Sequence, residues 1–199
     1  MSLDGMETTP RGGGKLESRR HRFVIFTPTK IAGVHVIDIE RRQDERGYFG
    51  RMWCEREMIA QRLSTRVAQT NLAVSLKAGT LRGMHYQRAP FAEVKIMHCQ
   101  RGAVYDVIVD LRPASATYSQ WVGVELTAEN GRMLYAPEGC AHGYVTLRDD
   151  TALSYSTSQF YAPEAAHGVR FNDPAFDIQW PVAVSVISAQ DRNWPTFGQ

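Results

Sequence analysis

The chain has 199 residues, 43% of them hydrophobic, and a formal net charge of +2. That length suits one domain with a real core, or a domain and a tail; the weak, dispersed charge argues against nucleic acid or an acidic membrane as partner. Cys54, Cys99 and Cys140 are too few and too scattered for a disulfide framework and suit a reducing cytoplasm, and no apolar run approaches the ~18 residues of a membrane span or forms the h-region of a signal peptide.

In chain order, residues 1–22 carry Gly12-Gly13-Gly14 and the basic cluster Arg19-Arg20-His21-Arg22 with little apolar mass. They read as a disordered tail before a single domain at 23–199. Residues 23–26 and 34–39 read as short strands separated by Pro28 and Gly33. A polar run then leads to Gly47-Tyr48-Phe49-Gly50. Two aromatics beside Arg46 suit stacking on a base or sugar and pairing with a phosphate; an ordinary turn followed by a core aromatic fits equally. Residues 54–63 (CEREMIAQRL) form a helical pattern, with Met58, Ile59 and Leu63 on one side.

From Val67 the pattern is β almost to the end. The expected strands are 67–74, 81–87, 94–100, 103–111, 120–126, 132–136, 141–146, 152–160 and 169–171. Gln100-Arg101-Gly102 and Asn130-Gly131 read as tight hairpin turns. So many short strands with so little helix imply an all-β fold, an antiparallel sandwich or jelly-roll barrel. The Pro-bearing stretch from Asn172 to Arg192 is expected to wrap over a sheet.

Chemistry concentrates in Thr80-Leu81-Arg82-Gly83-Met84-His85-Tyr86-Gln87. A regular strand sends Arg82 and His85 to opposite faces. They share a pocket only if the strand is irregular near Gly83. His85 reads as a general base or as a half-buried histidine on a barrel wall. A cupin-type jelly-roll often binds a metal through an HxH pair, but here the motif reads His85-Tyr86-Gln87. His142 alone does not complete a ligand set, and alternation gives His98 and Cys140 no reason to converge; no metal is expected. Ser75, Ser154 and Cys99 lack the context of a nucleophile. The remaining set is His85, Tyr155, Lys95, Arg82 and His142 with Asp106, Asp173 and Asp191. It suits removal of a proton beside a carbonyl and its return to the opposite face. Taken singly, Tyr155 fits a core aromatic, and Asp106 and Asp173 fit hydrogen-bond acceptors.

Several runs together resemble the dTDP-4-dehydrorhamnose 3,5-epimerases: Arg46-Gly47-Tyr48-Phe49, Gln69-Thr70-Asn71, Leu81 to Gln87, Val104 to Arg112, and Pro137-Glu138-Gly139-Cys140-Ala141-His142-Gly143. Asn172-Asp173-Pro174, Trp180-Pro181 and Ser188-Ala189-Gln190-Asp191 extend the resemblance, which runs from about Ile31 to Pro195. It implies a cupin-type jelly-roll and a homodimer, no metal or other cofactor, and a nucleoside-diphosphate 4-keto-6-deoxy sugar as substrate. It further implies His85 as general base, Asp191 as its carboxylate partner, Tyr155 as general acid and Lys95 as the group steadying an enolate oxygen. Arg82, Gln69, Asn71 and His142 match substrate-contacting positions. Arg46 and Phe49 match a loop that meets the nucleotide, in some members across the dimer interface. Four departures stand out: Arg51 replaces an acid, Gln190 replaces the lysine before Asp191, Ala166 replaces a glutamate, and the segment from Asn71 to Leu81 is about one residue longer and lacks the family's polar run after Asn71. A 3-only or 5-only epimerase, a ketoisomerase and a non-catalytic sugar-nucleotide binding cupin are the competing readings.

Overall fold

The structure is a computed structural model that describes residues 23–198; the expected tail at 1–22 lies outside the described residues. In chain order the elements are β1 (Val24–Pro28), β2 (His35–Ile39), β3 (Arg42–Asp44), β4 (Gly47–Phe49), α1 (Glu55–Ala60), β5 (Gln69–Ser75), β6 (Thr80–Gln87), β7 (Lys95–Arg101), β8 (Ala103–Asp110), β9 (Trp121–Thr127), β10 (Met133–Ala136), β11 (Cys140–Thr146), β12 (Thr151–Thr157), β13 (Ala166–Gly168), β14 (Val186–Ile187) and α2 (Ala189–Arg192). Two sheets carry the fold. One has the order β1-β2-β10-β7-β12-β5; the other has the order β13-β6-β11-β8-β9, with β14 added beside β6. Strands β3 and β4 form a separate two-stranded hairpin.

The sheets face each other as a jelly-roll, because the chain keeps changing sheet between β5 and β12. This corrects the reading of two turns. Arg101-Gly102 does not close a hairpin: β7 pairs with β10 and β12, while β8 pairs with β9 and β11. Asn130-Gly131 likewise joins β9 to β10 in the opposite sheet. Gly102 (φ +76°) and Gly131 (φ +63°) do supply the left-handed backbone of a tight reversal. A turn residue specifies the reversal but not the strand on the far side. The Asn130 corner is held by its side chain, whose Oδ1 accepts from Thr127 N at 3.1 Å, while Thr127 Oγ1 accepts from Asn130 N at 2.9 Å.

Period-two alternation builds the core. On β7, Lys95, Met97 and Cys99 are buried, while Ile96 and His98 are less so and Gln100 is exposed. Strand β8 is apolar on both faces for a reason outside itself. Val104 and Ile108 pack between the sheets, while Val107 and Val109 pack outward against Phe176 and Ile178 of the C-terminal segment. That segment wraps over the sheet as its sequence suggests, with Trp180 and Phe197 in the same cluster.

Three elements differ from expectation. The helix is shorter than 54–63; Met58 is buried and Leu63 packs beside it, but Ile59 is exposed. Arg62, at φ +59°, ends the helical run. The strand expected at 169–171 lies at Ala166–Gly168, although paired backbone bonds between Val169 and Met84 prolong its ladder. Strand β14 pairs parallel with β6, an exception in otherwise antiparallel sheets.

Candidate active site

Strand β6 is irregular where the chemistry requires it. Across the β6–β11 ladder His85 faces His142 and Arg82 faces Tyr144, so Gly83 and Met84 oppose Gly143 alone. This bulge resets the alternation, and Arg82 and His85 both line one cleft between the sheets. Gly83 sits at φ +137°, and a Cβ there would collide with the Gly143 backbone. A side chain at this position is therefore excluded twice, by backbone conformation and by space.

The imidazole of His85 is held from the far end of the chain. Ser188 caps α2 by accepting from Asp191 N at 3.0 Å. In a capping box the residue at this third helical position reaches back to the cap. Here the Asp191 carboxylate turns instead to His85, with Oδ1 2.6 Å from Nε2, and to Gly83 N, which Oδ2 meets at 3.3 Å. Burial pushes the Asp191 carboxyl up, but the His85 hydrogen bond and charge, with the Gly83 N–H, outweigh it and hold it below its usual value. An ionised Asp191 accepts the hydrogen on Nε2 and leaves the lone pair on Nδ1 of the neutral ring. The Trp194 ring meets the imidazole edge-on at 6.2 Å.

Tyr155 and Lys95 come from the opposite sheet. Both face inward, Tyr155 on β12 and Lys95 on the neighbouring β7. The cleft has a volume of about 550 Å³ on one side of these residues and adjoins a second lobe of about 410 Å³; His85, Lys95 and Tyr155 line both. Burial, reinforced by the charge of Glu93, raises the Tyr155 phenol, against a smaller pull from Arg82. It holds its proton at neutral pH. Lys95 Nζ is fixed by Glu93 Oε1 at 3.1 Å and by the His85 backbone carbonyl at 3.2 Å, leaving one of its three ammonium hydrogens for a ligand.

The other expected residues divide. Arg82 is oriented by Ser75 Oγ at 3.3 Å and Val74 O at 3.1 Å, with donors left for an anion or carbonyl. His142 lines the first lobe and its Nε2 lies 3.0 Å from Asp106 Oδ2. Asp106 is fully buried; desolvation raises its pKa, opposed by His142 and Lys95. Gln69 and Asn71 line the second lobe from β5, and Gln69 Oε1 accepts from Tyr161 N at 2.6 Å. Arg46 and Phe49 do not line this cleft. They lie on the exposed β3–β4 hairpin, where Arg46 pairs with Asp44. Among the described residues no group of three or more His, Cys, Asp or Glu side chains is placed to hold a metal ion, and Asp173 instead ties the C-terminal segment by accepting from Phe197 N and Ala175 N.

Sequence reasoning missed Glu93 and Tyr144. Glu93 anchors Lys95 and also takes Gln87 Nε2 at 3.3 Å; its place two residues before Lys95 was the available signal. Tyr144 shares the inward face of β11 with His142 by period-two spacing. An imidazole braced by a carboxylate on one wall, with a protonated phenol and an ammonium on the other, can remove and return protons on opposite faces of a ring held between them.

Comparison with known proteins gives the family. The sequence profile described as dTDP-4-dehydrorhamnose 3,5-epimerase matches residues 28–199. A dTDP-4-dehydrorhamnose 3,5-epimerase of Sinorhizobium fredii is 38% identical over 187 residues, covering 94% of this chain and 93% of that protein. A dTDP-4-dehydrorhamnose 3-epimerase of Streptomyces niveus is 39% identical over 168 residues, covering 83% of this chain and 80% of that protein. The crystal structure of a dTDP-4-dehydrorhamnose 3,5-epimerase from Elizabethkingia anophelis superposes with a TM-score of 0.85 at 35% identity, covering 88% of this chain and 97% of the other. The shared fold is the cupin-type jelly-roll. With the profile spanning nearly all the described residues and these relatives covering most of its length, the chain belongs to the dTDP-4-dehydrorhamnose 3,5-epimerase family of isomerases.

Proposed function

We propose that the chain epimerises a dTDP-linked 4-keto-6-deoxyhexose at C3 and C5, with His85 as base and Tyr155 as acid. The observation that carries this reading is the placement of His85, paired with Asp191 at 2.6 Å, and Tyr155 on opposing sheets around one cleft. The C4 ketone acidifies the hydrogens on C3 and C5. Neutral His85 takes one through Nδ1, and the electron pair moves into an enolate whose oxygen faces the Lys95 ammonium. Asp191 stabilises the imidazolium so formed. Tyr155 then donates its proton to carbon from the other side, which inverts that centre, and His85 returns its proton to the phenolate through solvent. Repetition at the second carbon completes the reaction. Only protons move and no electron leaves the sugar, so the chemistry requires no redox cofactor.

A homodimer in the cytoplasm completes the proposal. The β3–β4 hairpin carries Phe49, 66% exposed, beside Arg46, and in a dimer this pair reaches the nucleotide in the partner's cleft. A second reading, inversion at C3 alone, is favoured by the Streptomyces niveus relative, a 3-epimerase as similar to this chain as the 3,5-epimerase is. Incubating the protein with dTDP-4-keto-6-deoxyglucose and identifying the product by NMR separates them. Inversion at both carbons supports the first reading, inversion at C3 alone the second, and unchanged substrate contradicts both.

A further inference from the structure

We propose that Glu93 is a positioning residue for the proton transfers: its carboxylate aims the Lys95 ammonium at the place where the enolate oxygen forms. This rests on the functional reading above and deepens it. Glu93 stands two residues before Lys95, and side chains two apart in an extended chain share a face. Their charges meet at 3.1 Å, with the side chains only 9% and 10% exposed. The carboxylate is held in turn by Gln87, itself buried. Gln87 Nε2 lies 3.3 Å from the second carboxylate oxygen and donates to the Phe91 carbonyl at 2.9 Å. Gln87 Oε1 accepts from Ala162 N at 2.7 Å, which fixes the orientation of the amide.

Stability alone gives little reason for this pair. A buried ion pair seldom outperforms apolar side chains of the same volume, because both charges are desolvated. Both members of this one line the second lobe of the cleft. Lys95 keeps one ammonium hydrogen free after Glu93 and the His85 carbonyl take two. After burial itself, the Glu93 charge is the main cause that raises the Tyr155 phenol, so the pair stands beside the proton donor. The other carboxylate that acts on Lys95, Asp106, is committed to His142 Nε2 at 3.0 Å. A lysine ends in a point charge on a flexible stem. Untethered, it would follow the nearest anion, and in a nucleotide sugar that anion is the diphosphate. Glu93 holds the charge at the hexose instead, where it acts as the enolate forms.

The test measures kcat and KM at neutral pH for wild type, Glu93→Gln, Lys95→Met and the double variant on dTDP-4-keto-6-deoxyglucose. Glu93→Gln should lose about 10- to 100-fold in kcat, as a misplaced group does, while KM stays or falls because the freed ammonium meets the diphosphate. Lys95→Met should lose about 10²- to 10³-fold in kcat, the usual effect of removing one oxyanion donor. The double variant should match Lys95→Met within about 2-fold, since Glu93 then has nothing left to aim. Losses that multiply in the double variant overturn the assignment. So does Glu93→Gln or Lys95→Met at wild-type kcat, or a Glu93→Gln effect confined to KM. Where Glu93→Gln does not fold, Glu93→Asp, which keeps the charge and draws the ammonium back by the length of one carbon, takes its place with the same expectations. Failure of wild type to turn over the sugar overturns the functional reading itself and this assignment with it.

Discussion

Asp191 Oδ1 and His85 Nε2 lie 2.6 Å apart although 106 residues separate them in sequence. A helix of four residues, capped by Ser188, delivers the carboxylate, and a bulge in β6 turns the imidazole to meet it. Replacing Asp191 by Asn keeps the size but offers a neutral amide where the ring expects an anion. The wrong tautomer is then favoured, and the imidazolium loses its counter-charge. We predict that Asp191→Asn lowers kcat by about 10³-fold, by analogy with carboxylate-to-amide changes in other His–Asp pairs, while circular dichroism remains near wild type and Tm at neutral pH falls modestly, because the stability of the lowered carboxylate is lost.

Tyr155→Phe removes only the proton that arrives from the opposite wall. Abstraction by His85 survives, so substrate hydrogens continue to exchange with solvent while inverted product is lost. Product formation should fall by about 10²- to 10⁴-fold, measured as the ratio of epimerised to merely deuterated sugar by NMR. Equal loss of both signals assigns Tyr155 to binding instead.

Gly83→Ala tests the bulge. The residue must adopt φ +137° and has the Gly143 backbone where a Cβ would go. Strain and overpacking together should cost about 3 kcal/mol, read as a lower urea midpoint. The same change displaces His85 from Asp191, so activity measured well below the unfolding transition should also fall.

Acid stability follows from two carboxylates. Asp110 is fully buried, and burial pushes it up. Arg112 Nε and the Arg112 N–H bind its Oδ1, while the Ser115 and Thr117 hydroxyls and a second Arg112 nitrogen bind Oδ2; together they bring its pKa far below the usual value. Asp191 is lowered too. A carboxylate lowered in the folded state adds stability above its unfolded pKa of about 4 and gives it up as pH falls towards the folded value. Melting temperature should therefore drop steadily below about pH 4. Asp110→Asn should cost about 3 kcal/mol at neutral pH and make this acid limb shallower.

Much of this was legible in the sequence, and the losses have causes. The bulge near Gly83 followed from one requirement, that Arg82 and His85 share a cleft. The wrapped C-terminal segment followed from its prolines. The corners at Gly102 and Gly131 were misread because a left-handed glycine encodes a reversal, while the neighbours of β7 and β8 are chosen by the sheet as a whole. The helix α2 was missed at four residues, although Ser188 three places before Asp191 has the spacing of a capping box. Strand β14 holds two residues and pairs parallel, which leaves no periodic trace. Glu93 and Tyr144 escaped because their surroundings are set by the fold: Lys95 and Gln87 for one, Ser75 and His142 for the other.

The central claim is that the imidazole removes the proton from carbon. Running the reaction in deuterated water with wild type and His85→Ala, and following C3 and C5 by NMR, tests it most directly. The account predicts deuterium at the inverted carbons with wild type and none with the variant. Deuterium entering at either carbon at a wild-type rate in His85→Ala contradicts it.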